Sequence, residues 1–312
     1  MVLLVIKGIP KPSMLSKLDH PDWISSVQYD KNELLTASYD GAVRVFSTDK
    51  KPKMIREIRD FQGFVKKASF TSNGIVCGGQ NGLLKYFDKE GNSLMETCAH
   101  SDTLTGLSVD GNFVVSSSVD GSIKLWSLES IEEEKKGKDA KKRKTTRIVS
   151  EFSAPVTYEG HGASVPSVIF EGQSIHSVSW DHSFRHWEVE SKSCVQIWNC
   201  DAAFNGLDKS QQMFATSHSD SFIRFWESSS TVPVLKINQK DHFAHCVKFV
   251  SSFEVAALSS TGLRMWDLRG TNKPLLKMDF AEKRLDMAFF DDSVAVGGEN
   301  GILEIYSLNK LD

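Results

Sequence analysis

The stretch Ser177-Val178-Ser179-Trp180-Asp181-His182-Ser183-Phe184-Arg185-His186-Trp187 reads as a strand, a tight polar turn at Asp181-His182 and a second strand ending on an indole. The same pattern recurs in both directions along the chain, ending on Phe46, Phe87, Trp126, Trp187, Trp226, Trp266 and Tyr306. The steps between these seven aromatics are 41, 39, 61, 39, 40 and 40 residues. Six residues before each aromatic stand Asp40, Asn81, Asp120, Asp181, Asp220, Ser260 and Asn300. Asp and Asn suit a tight turn there because their side chains bond nearby backbone amides. Each unit opens on a largely apolar strand, as in Ile24-Ser25-Ser26-Val27 and Val165-Pro166-Ser167-Val168, with Arg284-Leu285-Asp286-Met287 the least clean. Seven such units fill nearly all of the 312 residues, so one large all-β domain is expected rather than two ordinary ones.

A period of about 40 to 45 residues with a terminal aromatic and an Asp in the preceding turn resembles the WD40 repeat, one four-stranded blade each. The resemblance implies a seven-bladed β-propeller spanning residues 1–312. Blades 1, 3 and 4 carry His20, His100 and His161 seven residues before an apolar anchor of the first strand, and Thr36, Ser116 and Ser177 four before the turn Asp. With Asp40, Asp120 and Asp181 and the terminal Phe46, Trp126 and Trp187, these match the WD-repeat hydrogen-bond network. A Ser/His/Asp trio also invites a hydrolase reading. A catalytic triad is needed once, however, and this one recurs in three blades, so the structural reading is preferred and no enzymatic role is expected.

After Tyr306 only six residues remain, too few for a fourth strand with its turn. The N-terminal stretch, residues 1–18 with Met1–Lys7 as the donor, is expected to close the ring and remove its open edges. Two positions before each terminal aromatic stand Arg44, Lys85, Lys124, Arg185, Arg224, Arg264 and Glu304. These are read as a solvated strand face whose long stems cover apolar surface.

The long 61-residue step holds an insertion at 131–147, Glu132-Glu133-Glu134 followed by a basic run. It lacks aromatics and apolar periodicity, which predicts a disordered loop between blades 3 and 4. Lys135, Lys136, Lys138, Lys141, Lys142, Arg143 and Lys144 are candidates for a nuclear localisation signal or an RNA contact. Residues 135–147 carry eight Lys/Arg against one Asp, so a chain of net charge −3 without that +7 stands at −10. Such a body would not attract a phosphate backbone by itself.

Five scattered cysteines with no CxxC pair fit small core residues in a reducing compartment. Lys7 interrupts the apolar Met1–Ile6, so no secretory signal is expected. No phosphate-cradling loop opens a helix. His182 and His186 share a strand face near Asp181, but without a third ligand at clear spacing no metal or cofactor is expected. What remains is surface. Tyr39 and Trp180 precede the turn Asp, while Trp23, Phe64 and Phe243 share one position at the start of the first strand; all five are candidates for partner binding, against inter-blade packing for the last three.

Asp22-Trp23-Ile24-Ser25-Ser26-Val27, the basic insertion after blade 3, Ser179 to Glu190 in blade 4, and Phe204-Asn205 with Ile223-Arg224-Phe225-Trp226 in blade 5 come in an order that resembles one family. It is the WD-repeat subunit of the PeBoW complex, partner of pescadillo and the block-of-proliferation protein. The resemblance implies a nuclear and nucleolar scaffold for large (60S) ribosomal subunit assembly in pre-rRNA processing, docked on its partner's propeller within the pre-60S particle. It also implies an N-terminal ubiquitin-like domain engaged by a large AAA-type ATPase. Residues 1–18 are too few for such a domain, so its absence is expected and ATPase-driven release is not carried over. The rival reading is a generic peptide-binding adaptor that presents ubiquitin-ligase substrates or reads histone tails.

Overall fold

The structure, a computed structural model, describes residues 12–49, 51–134, 146–211, 213–240, 243–270 and 273–308. Seven antiparallel sheets follow one another in chain order. Blade 1 comprises Ile24–Asp30, Glu33–Ser38, Val43–Ser47 and Met54–Ile58, blade 2 runs from Val65–Thr71 to Ser93–Cys98, and blade 3 comprises Leu104–Asp110, Phe113–Ser118 and Ile123–Glu134, the last paired with both Thr146–Phe152 and Val156–Tyr158. Blade 4 comprises Ser167–Glu171, Ser174–Val178, Ser183–Glu188 and Ser193–Asn199; blades 5 and 6 begin at Phe204–Ser210 and Ala244–Phe249. Blade 7, which begins at Arg284–Phe290, takes its outer strand from the other end of the chain. We name the four strands of a blade a to d, from the axis outward.

The closing strand is Ser13–Asp19, paired antiparallel with Ile302–Ser307 from Ser13↔Ser307 to Asp19↔Ile302. Met1–Lys7, expected to be the donor, lies outside the described residues. The correction has a local reason. The segment that directly precedes blade 1 needs only His20 to Trp23 to reach strand a, so the adjacent residues pair and no long lead is required.

Strand a carries a register irregularity near its start in six blades, for example between Ile24 and Ser26 and between Phe204 and Gly206. In blade 4 the ladder starts only at Ser167, because Pro166 has no N–H to donate. The turn after Asp needs a left-handed residue, supplied by Gly41 (φ +77), Gly121 (φ +83) and Gly301 (φ +68) but by His182 (φ +69) in blade 4. A side chain at Gly41 would also meet the Gly63 and Phe61 carbonyl oxygens at 2.8 and 2.9 Å.

The core is distributed: each apolar cluster joins two neighbouring blades, as where Val115, Ile123 and Tyr158 of blade 3 meet Val168, Ile175 and Trp187 of blade 4. Because neighbouring blades cover both faces, the position two before the terminal aromatic is a solvated face in none of the blades: Arg44, Lys85, Arg224, Arg264 and Glu304 are buried, and Lys124 and Arg185 are half-buried. Cross-strand carboxylates neutralise them: Arg44 Nε donates to Glu57 at 2.8 Å, Lys85 pairs with Glu96 at 2.8 Å and Arg264 with Asp279 at 2.8 Å. Glu304 inverts the scheme and accepts from Arg284 at 2.7 Å.

Strands reach into both ends of the insertion, and residues 135–145 between them lie outside the described residues. Strand c of blade 3 continues to Glu134 and pairs with Thr146–Phe152, from Leu128↔Phe152 to Glu134↔Thr146. The basic candidates Lys135, Lys136, Lys138, Lys141, Lys142, Arg143 and Lys144 lie outside the described residues.

Candidate functional site: polar networks and an aromatic face

Blade 4 forms a closed four-residue chain. Asp181 can only accept, so His161 carries its proton on Nδ1 and donates to Oδ2 at 2.8 Å. His161 Nε2 then accepts from the Ser177 hydroxyl at 2.8 Å, and Ser177 Oγ accepts from Trp187 Nε1 at 2.8 Å. Ser183 Oγ donates to Asp181 at 2.6 Å and lies 3.1 Å from His161 Nδ1. Burial lowers the His161 pKa against the pull of Asp181, so the ring is neutral. Burial alone would raise Asp181, but hydrogen bonds from Ser183, Gly162 and His161 outweigh it and hold the carboxyl at about 2.

Blade 3 reaches the same end through a relay. His100 Nε2 meets Ser116 Oγ at 2.7 Å, and Trp126 Nε1 donates to that oxygen at 3.0 Å. His100 Nδ1 bonds Ser122 Oγ at 2.8 Å, which passes the contact to Asp120 at 2.7 Å; the direct Asp120 separation is 3.6 Å.

Blade 1 departs from the expected set. His20 Nε2 lies 2.9 Å from Thr36 Oγ1, but His20 Nδ1 has no partner among the described residues. Asp40 turns to Arg44, which grips both its oxygens. Burial and then Arg44 push the His20 pKa down to about 4. Blade 5 holds a variant that the sequence reading missed. Thr216 Oγ1 bonds His218 Nε2 at 2.8 Å and accepts from Trp226 Nε1 at 2.7 Å, while Arg224 grips Asp220. His218 stands where blades 1, 3 and 4 have Ser38, Ser118 and Ser179, a substitution visible at two residues before the turn Asp.

Two residues after that Asp, Ser122 and Ser183 offer a hydroxyl that bonds both His and Asp; Ala42 offers none in blade 1, where Arg44 takes the carboxylate, and blade 5 has Phe222 there and Cys200 in place of the loop histidine, with Arg224 on Asp220. In all of these units the serine or threonine hydroxyl is fully buried, as Ser116, Ser177 and Thr216 show at 0% exposure. A nucleophile must meet its substrate, so the burial of these hydroxyls fits a structural role for the trios.

His182 sits in the turn ahead of the strand instead of sharing a strand face with His186. His186 stacks on His176 at 4.5 Å and bonds Ser174 at 3.1 Å. Among the described residues no group of three or more His, Cys, Asp or Glu is placed to hold a metal. The five cysteines are free; Cys77 is buried in the core of blades 1 and 2, and Cys98 is exposed.

Around the axis, strand a side chains line a cavity of about 580 Å³. Side chains in it bond to the next blade's backbone: Gln28 accepts from Phe70 N at 2.8 Å, Ser108 from Phe170 N at 3.0 Å and Asp208 from Phe249 N at 2.7 Å. Asp286 of blade 7 accepts from Val27 N of blade 1 at 3.3 Å and from Lys67 of blade 2 at 2.8 Å. Burial would raise its pKa, but Lys67 and Lys248 outweigh burial and keep it low.

The five candidate partner-binding residues stand at one end of the ring, where strand b ends and strand a begins. Tyr39 N donates to Trp23 O at 2.9 Å, and Trp180 N donates to Ser164 O at 2.9 Å, which fixes these positions side by side. Trp23, Tyr39 and Phe64 form one continuous stack across blades 1 and 2, with centroids 5.4 and 4.7 Å apart. Tyr39 is the half-buried middle ring, so the exposed apolar surface comes from Trp23 at its side. Phe243 is exposed against the edge of His245. Trp180, 54% exposed, makes no ring contact among the described residues.

A family model described as "WD domain, G-beta repeat" matches residues 13–47 and 91–127. Both matches begin at or just before a d strand and run through strand c, so the sequence repeat is offset by one strand from the structural blade. The chain is similar to proteins named "Ribosome biogenesis protein WDR12 homolog" from Oryza sativa subsp. japonica and Nematostella vectensis. The rice protein is 28% identical over 341 residues, covering 97% of this chain and 77% of its own length. The Nematostella protein is 26% identical over 298 residues, covering 85% and 70%. A "Ribosome biogenesis protein YTM1" from Eremothecium gossypii is 27% identical over 222 residues, covering 61% and 49%. The resemblance read from the ordered motifs is thus matched by similarity along nearly the whole chain.

Proposed function

We propose that the chain is a non-enzymatic scaffold in assembly of the large ribosomal subunit, acting in the nucleus and nucleolus through a propeller that docks on a second WD-repeat protein of the block-of-proliferation type, with a pescadillo-like protein in the same complex. The observation that carries this is similarity over 97% of the chain to a protein whose name is that of a ribosome biogenesis factor. Two structural features support it. The Ser/His/Asp trios are consumed by internal hydrogen bonds, so the chemistry left to the surface is binding. The rings Trp23 and Trp180 stand exposed on one face, and large aromatics of this kind carry most of the energy at protein interfaces.

The test is a tagged pull-down from native cells at moderate salt with mass spectrometry of the bound proteins. Recovery of a second propeller protein with pescadillo-like and pre-60S factors is the expected result. Recovery of ligase subunits or chromatin proteins without ribosomal precursors would overturn the reading and favour a peptide-binding adaptor.

A further inference from the structure

Among the described residues of the aromatic face, Lys66 is a cation with no ion-pair partner. Lys66, half-buried at the start of blade 2, places its ammonium 5.6 Å from the Tyr39 ring centroid and donates to the Tyr39 hydroxyl at 3.3 Å. Its neighbours are already paired: Lys67 has Asp286 at 2.8 Å and Lys283 has Glu299 at 3.1 Å. Among the described residues no carboxylate lies within ion-pair distance of Lys66. His245 stands on the same side, held neutral by burial with a pKa of about 4. A desolvated ammonium beside like charges is costly, and the cost falls when an anion arrives.

We propose that Lys66, framed by Trp23, Tyr39 and Phe64, anchors an acidic side chain presented on an apolar loop of the docking partner. The inference rests on the docking reading above and gives it a chemistry. The stacked rings supply apolar contact, and the ammonium supplies the charge that selects a carboxylate. A basic segment such as a histone tail would bring a further cation to the Lys66 ammonium and be repelled.

The same geometry makes docking pH-dependent. Burial first, then Lys67 and Lys283, against the opposing pull of Asp286, bring the Lys66 pKa down to about 8. The other titratable groups facing it are Tyr39, whose pKa is raised by burial, Glu299 and His245. A bound carboxylate raises the Lys66 pKa, so docking takes up a proton and weakens as pH rises through about 8. At pH 9 only about a tenth of the free protein carries the charge, which predicts roughly tenfold weaker binding than at pH 7.

The test titrates the full chain with a purified block-of-proliferation-type propeller at pH 7 and pH 9, using wild type, Lys66→Met, Lys66→Arg and Trp23→Ala, each checked for an unchanged melting temperature. Lys66→Met is expected to weaken binding at least tenfold at pH 7 and to abolish the pH dependence. Lys66→Arg is expected to bind within about threefold of wild type without the loss at pH 9. If Trp23→Ala weakens binding while Lys66→Met binds within twofold of wild type, the charge inference is overturned and the docking reading stands. If the two propellers do not bind at all, the docking reading falls. The inference is then decided by a decaglutamate peptide: binding lost in Lys66→Met keeps it, and no such binding overturns it.

Discussion

Blades 4 and 1 start from nearly the same residues and solve the same problem differently. Both bring a histidine from the loop before strand a to a hydroxyl on strand b, and both place an Asp in the next turn. In blade 4 the carboxylate completes the chain from indole to imidazole; in blade 1 it leaves the imidazole for a guanidinium. The histidine is the fixed part. The carboxylate goes to whichever donor lies nearest, and one small residue between them, Ser183 or Ala42, sets that choice. Blade 4 therefore stores its polar cohesion in one connected network, and blade 1 splits it between a separate His–Thr bond of 2.9 Å and a buried ion pair.

The largest effect is expected from cutting the network at its centre. Ser177→Ala leaves both His161 Nε2 and Trp187 Nε1 without partners in a buried setting, a loss of about 2–6 kcal/mol at ~1–3 for each group. Thr36→Val in blade 1 strands the His20 ring and removes a long 3.4 Å bond to the Arg44 carbonyl, and is expected to cost about 1–3 kcal/mol. Urea unfolding of the two variants side by side checks the ordering, and equal losses would contradict it.

Next comes exchange of the deciding residue. Ser183→Ala removes the hydroxyl that holds Asp181 beside His161 and is expected to cost about 1 kcal/mol, with the carboxylate passing to Arg185, now 3.7 Å away. Ala42→Ser should do the reverse, lifting the His20 pKa above its present value of about 4. Imidazole titration by NMR reads both changes, and an unmoved His20 would refute the role given to this position.

Acid should act first through the buried histidines of blades 1, 3 and 5 and, at lower pH, through Asp181 of blade 4. His20 and His100 are held at about 4, and His218 at about 3, chiefly by burial, while an unfolded histidine titrates near 6.5. Between those values the unfolded chain binds more protons than the folded one, so stability falls as pH drops from about 6.5 towards 4. Asp181, held at about 2, adds its own loss only below the ordinary carboxylate range near 4. Denaturant midpoints measured from pH 7 to pH 4 should therefore decline before the carboxylates titrate. The smallest effect belongs to the surface: Trp180→Ser should change stability by less than about 0.5 kcal/mol, since the ring is 54% exposed and packs on no other ring among the described residues.

The seven-fold repeat was legible because its markers are local: an aromatic, a turn residue six earlier and a hydroxyl four before that. The closed set of blade 4 could be read for the same reason. Other features depend on what lies across space. Strand alternation marks Arg44, Lys85 and Arg264 as facing away from the apolar side, but it cannot tell solvent from a neighbouring blade, and here that face is covered. The closing strand Ser13–Asp19 is mostly exposed and weakly patterned, so its pairing with Ile302–Ser307 leaves little trace in composition. The stacking of Trp23, Tyr39 and Phe64 joins residues from two repeats, which no single repeat displays.

The central claim is that docking uses the face where strand a begins. Hydrogen exchange of the full chain, alone and with a purified block-of-proliferation-type propeller, tests it most directly. Protection confined to the segments around Trp23, Tyr39, Phe64–Lys66 and Phe243–His245 is the predicted result. Protection confined to the opposite turns, around Asn32, Asn73 and Phe253, with the aromatic face unchanged, would contradict it.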